Sequence, residues 1–234
     1  MKSLSPKQPA HLSPFAKVCL EALVKAGLGS TISLGGTFGL FHYYDYRPTH
    51  DVDAWWLDDV TEAQKKEVVQ VLQSTLERYG VVRVRSWGDL TSIELSQEGK
   101  TVFSFQLAVR TQRLEDFQVA GWIDIPLDSF RDLVSTKMNA LVQRGAPRDF
   151  LDVYTICHAE LITIEECWSL WRERQDLIGN EHDDGKARLA VETHLKRIEL
   201  QRPLEQIEDE ESRDNARDLR LWFVNTFLKE TNDE

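Results

Sequence analysis

Ile32-Ser33-Leu34-Gly35-Gly36-Thr37-Phe38, followed across a Pro48-containing loop by Thr49-His50-Asp51-Val52-Asp53-Ala54-Trp55-Trp56, is the stretch that decides the fold. Its first part reads as a short strand (Thr31 to Leu34) leaving through a Gly-Gly turn. Its second part reads as a strand from Asp51 to Trp56. Residues i and i+2 of a strand point to one face, so Asp51 and Asp53 share a side. Two carboxylates on one face suit Mg²⁺, which takes one or two carboxylates together with substrate phosphates. Gly35 and Gly36 let backbone amides approach a phosphate closely. The combination points to metal-assisted phosphoryl or nucleotidyl transfer.

Outward from this stretch, Ser13-Pro14 opens a helix running to about Ala26, with the serine as cap and the proline in the first turn. Thr37 to Tyr44 fits a short helix leaving the glycines. Thr61 to Tyr79 is amphipathic, with Val68, Val69, Val71, Leu72 and Leu76 at helical spacing and Gly80 as the stop. Val81 to Ser86, Thr91 to Leu95 and Thr101 to Val109 alternate as strands of one sheet, and Gln97-Glu98-Gly99-Lys100 is a hairpin turn. From Leu127 the pattern turns helical: Asp128 to Gln143, Arg148 to His158, Thr163 to Arg174, Lys186 to Leu200 and Arg213 to Lys229. The expected layout is α+β, with an α/β core over residues 1–126 and a helical region over 127–234.

The chain has 234 residues, 41% of them hydrophobic, enough for a sizeable core. Lys+Arg is 28 against Asp+Glu 39, a net charge of −11, which excludes general coating of nucleic acid but not a local basic patch. Cys19, Cys157 and Cys167 are odd in number and lack a CxxC, so neither a disulfide framework nor a zinc ribbon is expected. Free thiols fit a reducing cytoplasm. Met1 to Leu12 is polar and carries Pro6 and Pro9 where a signal peptide needs an apolar run, and no stretch is long enough to span a membrane.

Other candidates carry competing readings. Thr49, if the strand has begun by then, shares the carboxylate face and can bind a phosphate, hold a metal-bound water or accept a phosphoryl group; otherwise it makes a local backbone bond. Arg47 can reach a triphosphate or cap its loop. Lys137 has Leu133, Thr136, Ala140 and Leu141 around it at helical spacing, and points into a cleft or snorkels at the surface. Asp149 and Asp152 sit on the first turn of a helix, where Asp149 is either a cap or a catalytic acid and Asp152 is the better candidate for chemistry. Arg83, Arg85, Arg110 and Arg113 form a basic groove for RNA phosphates or pair with surface acids. Asp218 to Leu228 is an amphipathic stretch that seats a partner or packs on the chain's own core.

With Gly35-Gly36, Thr49-x-Asp51-Val52-Asp53, Lys137, Leu141 and Arg148-Asp149-Phe150-Leu151-Asp152-Val153-Tyr154 together, the chain resembles the AbiEii-type nucleotidyltransferases over roughly residues 14 to 160. These are relatives of the polymerase-β-like fold, and many are toxins of bacterial toxin–antitoxin pairs. The Gly-Gly and DxD elements are shared by many nucleotidyltransferases, whereas the later lysine and RDFLDVY pattern is specific to this branch. The resemblance implies a polymerase-β-like mixed sheet with flanking helices, Mg²⁺, a nucleoside triphosphate, and an active site of Thr49, Asp51, Lys137 and Asp152; the strand reading adds Asp53 as the second catalytic, metal-holding carboxylate. It further implies nucleotide addition to a tRNA 3′ end, and a cognate antitoxin that in some relatives phosphorylates the Thr49 position; a protein hydroxyl is the alternative acceptor. One departure stands out: the later strand Val102 to Val109 carries Ser104 and Gln106 where such enzymes place a third carboxylate. Asp152 then supplies the missing acid, or the chain binds nucleotide without efficient transfer.

Overall fold

The computed structural model describes residues 4–110 and 112–229, and the chain divides into two compact units, one ending at Leu133 and the other beginning at Val134. In the first unit, Ser13 precedes α1 (Pro14–Lys25), whose proline occupies the first turn and whose inner face buries Ala16, Cys19, Leu20 and Leu23. A 3₁₀ turn delivers the chain to β1 (Ile32–Gly35), followed by α2 (Gly36–Phe41) and β2 (Asp51–Trp56). Next come α3 (Glu62–Leu76), β3 (Val81–Trp87), β4 (Leu90–Gln97) and β5 (Lys100–Val109). Thr61 caps α3 reciprocally: its hydroxyl accepts from the Gln64 N–H at 3.3 Å, and its own N–H donates to Gln64 Oε1 at 3.0 Å. The β4–β5 turn has positive φ at Glu98 (51°) and Gly99 (78°), which matches the right-handed twist of a hairpin.

Two further pairings were not expected: β6 (Gln118–Val119) and β7 (Pro126–Leu127), each too short to show any alternation. The seven strands form one mixed sheet in the order β3-β4-β5-β2-β1-β7-β6. β1 runs antiparallel to β2 and parallel to β7, and β2 runs parallel to β5. One face of the sheet is apolar: Val52, Ala54, Ile93, Leu95, Phe103, Phe105 and Leu107 are buried in a core shared with α1 and α3. The opposite face of β2, β4 and β5 carries Asp51, Asp53, Ser92, Glu94, Ser104 and Gln106. That division follows from the period of two, and it leaves a polar face on a well-anchored sheet.

The second unit is helical. α4 (Phe130–Gln143), of which the part from Val134 belongs here, is followed by α5 (Pro147–His158), α6 (Ile164–Leu177), α7 (Asp184–Gln201) and α8 (Glu210–Trp222). The helix expected over 213–229 begins earlier and ends at Trp222, where Phe223–Phe227 continue as a wider helical turn closed by the Leu228 N–H on the Phe223 carbonyl at 3.0 Å. Phe223 and Phe227 are fully buried, with ring centroids 4.7 Å from Phe150 and 5.3 Å from Trp168 respectively. The C-terminal amphipathic stretch therefore spends its aromatic face on its own unit. The three cysteines are free thiols, and no helix among the described residues is long and apolar enough to cross a membrane.

Candidate active site

Gly35 closes β1 opposite Asp53 in the antiparallel pair with β2. Asp51 and Asp53 alternate with the buried Val52 and Ala54, so both half-buried carboxylates project from the polar face. The glycines are required by what stands beside them. Gly36 has φ +56°, and a methyl there would run into Asp53, within 2.6 Å of its Cβ and Cγ. A methyl on Gly35 would meet the Trp55 indole (2.8 Å to Cδ1) and Asp128 Oδ2 (2.9 Å). The Gly-Gly turn thus lets the backbone lie directly against the second carboxylate.

In the parallel pair with β5, Asp51 stands opposite Ser104 and Asp53 opposite Gln106. The position of a third strand carboxylate is therefore held by a buried hydroxyl, which donates to Asp51 Oδ1 at 2.7 Å. Ser104 can fix the orientation of the carboxylate but adds no charge. One strand further, Glu94 of β4 stands opposite Ser104 and Ser92 opposite Gln106. Sequence reading passed over Glu94, although the alternation of β4 placed it on this face.

Thr49 lies before the strand, because β2 begins at Asp51; the His50 carbonyl already accepts from the Ser104 N–H at 2.9 Å. The Thr49 hydroxyl bonds the backbone of Asp51, accepting from its N–H and donating to its carbonyl, each at 3.3 Å. A phosphoryl group on Thr49 would remove the hydroxyl proton and with it the bond donated to the Asp51 carbonyl. Arg47 lays its guanidinium over the rings of Phe41 (5.4 Å) and Tyr46 (5.8 Å), contacts that fix the loop leading to Asp51.

The four arginines do not line one groove. Arg110, half-buried, forms an ion pair with the buried Asp128 and also donates to Ser33 Oγ at 3.3 Å. Burial raises the Asp128 carboxyl against the opposing pull of that guanidinium. Arg113 stacks on Phe117 at 3.9 Å. Arg83 and Arg85 remain on the exposed strand β3.

In the second unit, Lys137 from the middle of α4 meets Asp152 on α5, Nζ to Oδ2 at 2.7 Å, with side chains 8% and 0% exposed. The lysine is thus a buried ion-pair partner and not a snorkelling surface residue. Asp149 has the structural role: its carboxylate accepts from Arg144 Nε and Nη2, each at 2.9 Å, and from the Ala146 N–H at 3.1 Å, closing the start of α5. That leaves Asp152 as the α5 acid with a lysine partner.

Among the described residues no group of three or more His, Cys, Asp or Glu side chains is placed to hold a metal ion. Asp51 and Asp53, two carboxylates facing one way on a single strand, fit Mg²⁺, which keeps waters and borrows phosphate oxygens for the rest of its shell. They do not fit a dedicated all-protein cage for a larger or softer ion.

A mixed sheet, a Gly-Gly turn at the end of one strand and a DxD on the strand beside it make up the layout of a nucleotidyltransferase. The chain belongs to the AbiEii family: the family model described as nucleotidyl transferase AbiEii toxin, type IV TA (toxin–antitoxin) system, matches residues 18–225. The match runs well past residue 160, where the recognisable motifs end, so the C-terminal helices are part of the family's architecture as well. No curated protein matches the chain.

Proposed function

We propose that this chain transfers a nucleotidyl group from a nucleoside triphosphate to an RNA 3′ end, with tRNA the favoured acceptor, as the toxin of a cytoplasmic pair with a cognate antitoxin. The observation that carries the reading is the Asp51–Asp53 pair on one face of β2, with the Gly36 backbone against Asp53, in a chain of this family. The RNA 3′ hydroxyl attacks the α-phosphorus, the bond to the β-phosphate oxygen breaks, pyrophosphate leaves, and the hydroxyl proton passes to a base. Asp51 and Asp53 are the residues to hold Mg²⁺, whose chemistry is charge neutralisation on the triphosphate. Gly35 and Gly36 keep the backbone close enough to accommodate phosphates, and Arg47 is a further triphosphate contact.

Lys137 and Asp152 are assigned to the same reaction on their match to the family pattern and on their buried pairing. The lysine supplies a compact positive charge for the triphosphate, and the aspartate orients the acceptor or takes its proton. A second reading, nucleotide binding without transfer, draws on Ser104 and Gln106 standing where a third carboxylate is usual.

Pure protein is incubated with Mg²⁺, total tRNA and each α-labelled nucleoside triphosphate in turn, beside Asp51→Ala. The expected result is label on tRNA with the wild type and at least 100-fold less with the variant, which remains folded by circular dichroism. Equal labelling by Asp51→Ala would overturn the assignment of the metal site. Label on protein would transfer the acceptor to a protein hydroxyl. Thermal stabilisation by triphosphate and Mg²⁺ with no product would select the binding-only reading.

A further inference from the structure

The polar face of the sheet carries two rows of residues across four strands. Asp51 stands opposite Ser104, Ser104 opposite Glu94, and Glu94 opposite Arg83. Asp53 stands opposite Gln106, Gln106 opposite Ser92, and Ser92 opposite Arg85. Cross-strand partners present their side chains on the same face. Contacts on this face agree: Ser104 bonds Asp51 at 2.7 Å within one row, and Arg85 reaches diagonally across to Glu94 in the other at 3.7 Å. Edge strand β3 therefore turns Arg83, Arg85 and, at the next alternation, Trp87 toward the face that bears the DxD. All three are exposed, Trp87 at 52%, while Val82 faces the core on the other side. Three strand spacings separate them from the aspartates, about 14 Å.

We propose that β3 is the track for the single-stranded end of the RNA acceptor, with Arg83 and Arg85 on successive phosphates and Trp87 stacked on a base. This inference rests on the nucleotidyl-transfer reading for its acceptor. Three features favour it. Two guanidiniums with one loose carboxylate contact between them are a local positive exception on a chain of net charge −11. Residues i and i+2 are about 6.7 Å apart on a strand, of the same order as the phosphate repeat of an extended single strand. An exposed tryptophan beside arginines is the usual composition of a single-strand platform. The need of an edge strand for charge explains the arginines but not the tryptophan, which makes an edge more adhesive.

The test uses the full chain and a 5′-fluorescein single-stranded RNA ending in CCA, followed by anisotropy over a salt series. Wild type, Arg83→Ala/Arg85→Ala, Trp87→Ala and Trp87→Phe are compared, and triphosphate binding with Mg²⁺ is read separately by thermal shift. The double variant is expected to lose tenfold or more in RNA affinity. Its slope of log affinity against log salt should fall by about 1.4, two phosphate contacts on a single strand. Trp87→Ala should lose roughly tenfold and Trp87→Phe should retain most of the affinity, while the thermal shift by triphosphate stays unchanged in all. In the transfer assay the KM for RNA should rise with kcat at saturation preserved. Equal affinity and slope across the four proteins would overturn the track, as would a wild type that binds no RNA. A wild type that binds RNA through these residues but transfers nothing would overturn the transfer reading and leave the track standing. Loss of protein labelling with RNA binding intact would reassign β3 to a peptide acceptor and overturn it.

Discussion

At the scale of single residues, the site turns on what Ser104 does for Asp51. A hydroxyl cannot stand in for a charged ligand, but a 2.7 Å bond to Oδ1 helps to fix the orientation of the carboxylate. A hydrogen bond to a charged group contributes about 1.5–3 kcal/mol to stability, and one that orients a metal-binding carboxylate should be read in metal affinity as well. Ser104→Ala is expected to raise the Mg²⁺ concentration for half-maximal transfer several-fold, with a parallel loss in Mn²⁺ binding followed by electron paramagnetic resonance. Ser104→Thr, which keeps the hydroxyl, should restore both. Identical metal titrations in wild type and Ser104→Ala would remove Ser104 from the site. The aspartates and glycines were readable because alternation and turn chemistry are local. The partnership of Ser104 with Asp51 was not, because it depends on the parallel register of β2 with β5, strands separated by α3 and a hairpin, and nothing local encodes that register.

At the scale of elements, α4 and α5 are tied by Lys137 and Asp152, both buried. Removing one member of a buried pair strands the other charge, a loss of about 3–5 kcal/mol, whereas replacing both by apolar side chains is often close to neutral. Lys137→Met is therefore expected to lower unfolding stability by about that amount in urea titrations. Lys137→Met/Asp152→Leu should recover most of the loss while remaining inactive in tRNA labelling. A double variant as unstable as the single one would mean that the pair is not the main partner of either charge. Most elements were legible from their ends: Thr61 with Gln64 and Thr163 with Glu166 form reciprocal caps that mark α3 and α6. The break after Trp222 was not legible, since every residue from Glu210 to Leu228 is compatible with an unbroken helix. The wider turn coincides with the burial of Phe223 and Phe227 among aromatic neighbours.

At the scale of the whole molecule, acid should act through two opposing effects. Net charge is −11 at neutrality, and lowering the pH toward the isoelectric point of about 5.1 relieves self-repulsion. Against this stands His42, 1% exposed, whose Nδ1 pairs with the Phe38 carbonyl at 3.0 Å. Burial pushes its pKa from 6.5 down to about 4, despite the nearby Asp45 carboxylate and the backbone bond, which favour the charged form. The unfolded chain thus binds a proton near pH 6.5 that the folded chain refuses until about pH 4. Wherever the unfolded state holds more protons, stability falls as pH falls. The His42 contribution is complete above pH 6.5, declines through that window and is lost below about 4, a change on the order of 3 kcal/mol. Replacing His42 by Gln lowers stability at pH 7 through imperfect packing, but it removes this proton linkage. Urea midpoints of wild type and His42→Gln, followed from pH 7 to pH 4.5, should therefore converge as the pH drops. The background of carboxylates is common to both proteins and cancels in the comparison. Parallel profiles would show that His42 does not carry the acid sensitivity of the fold.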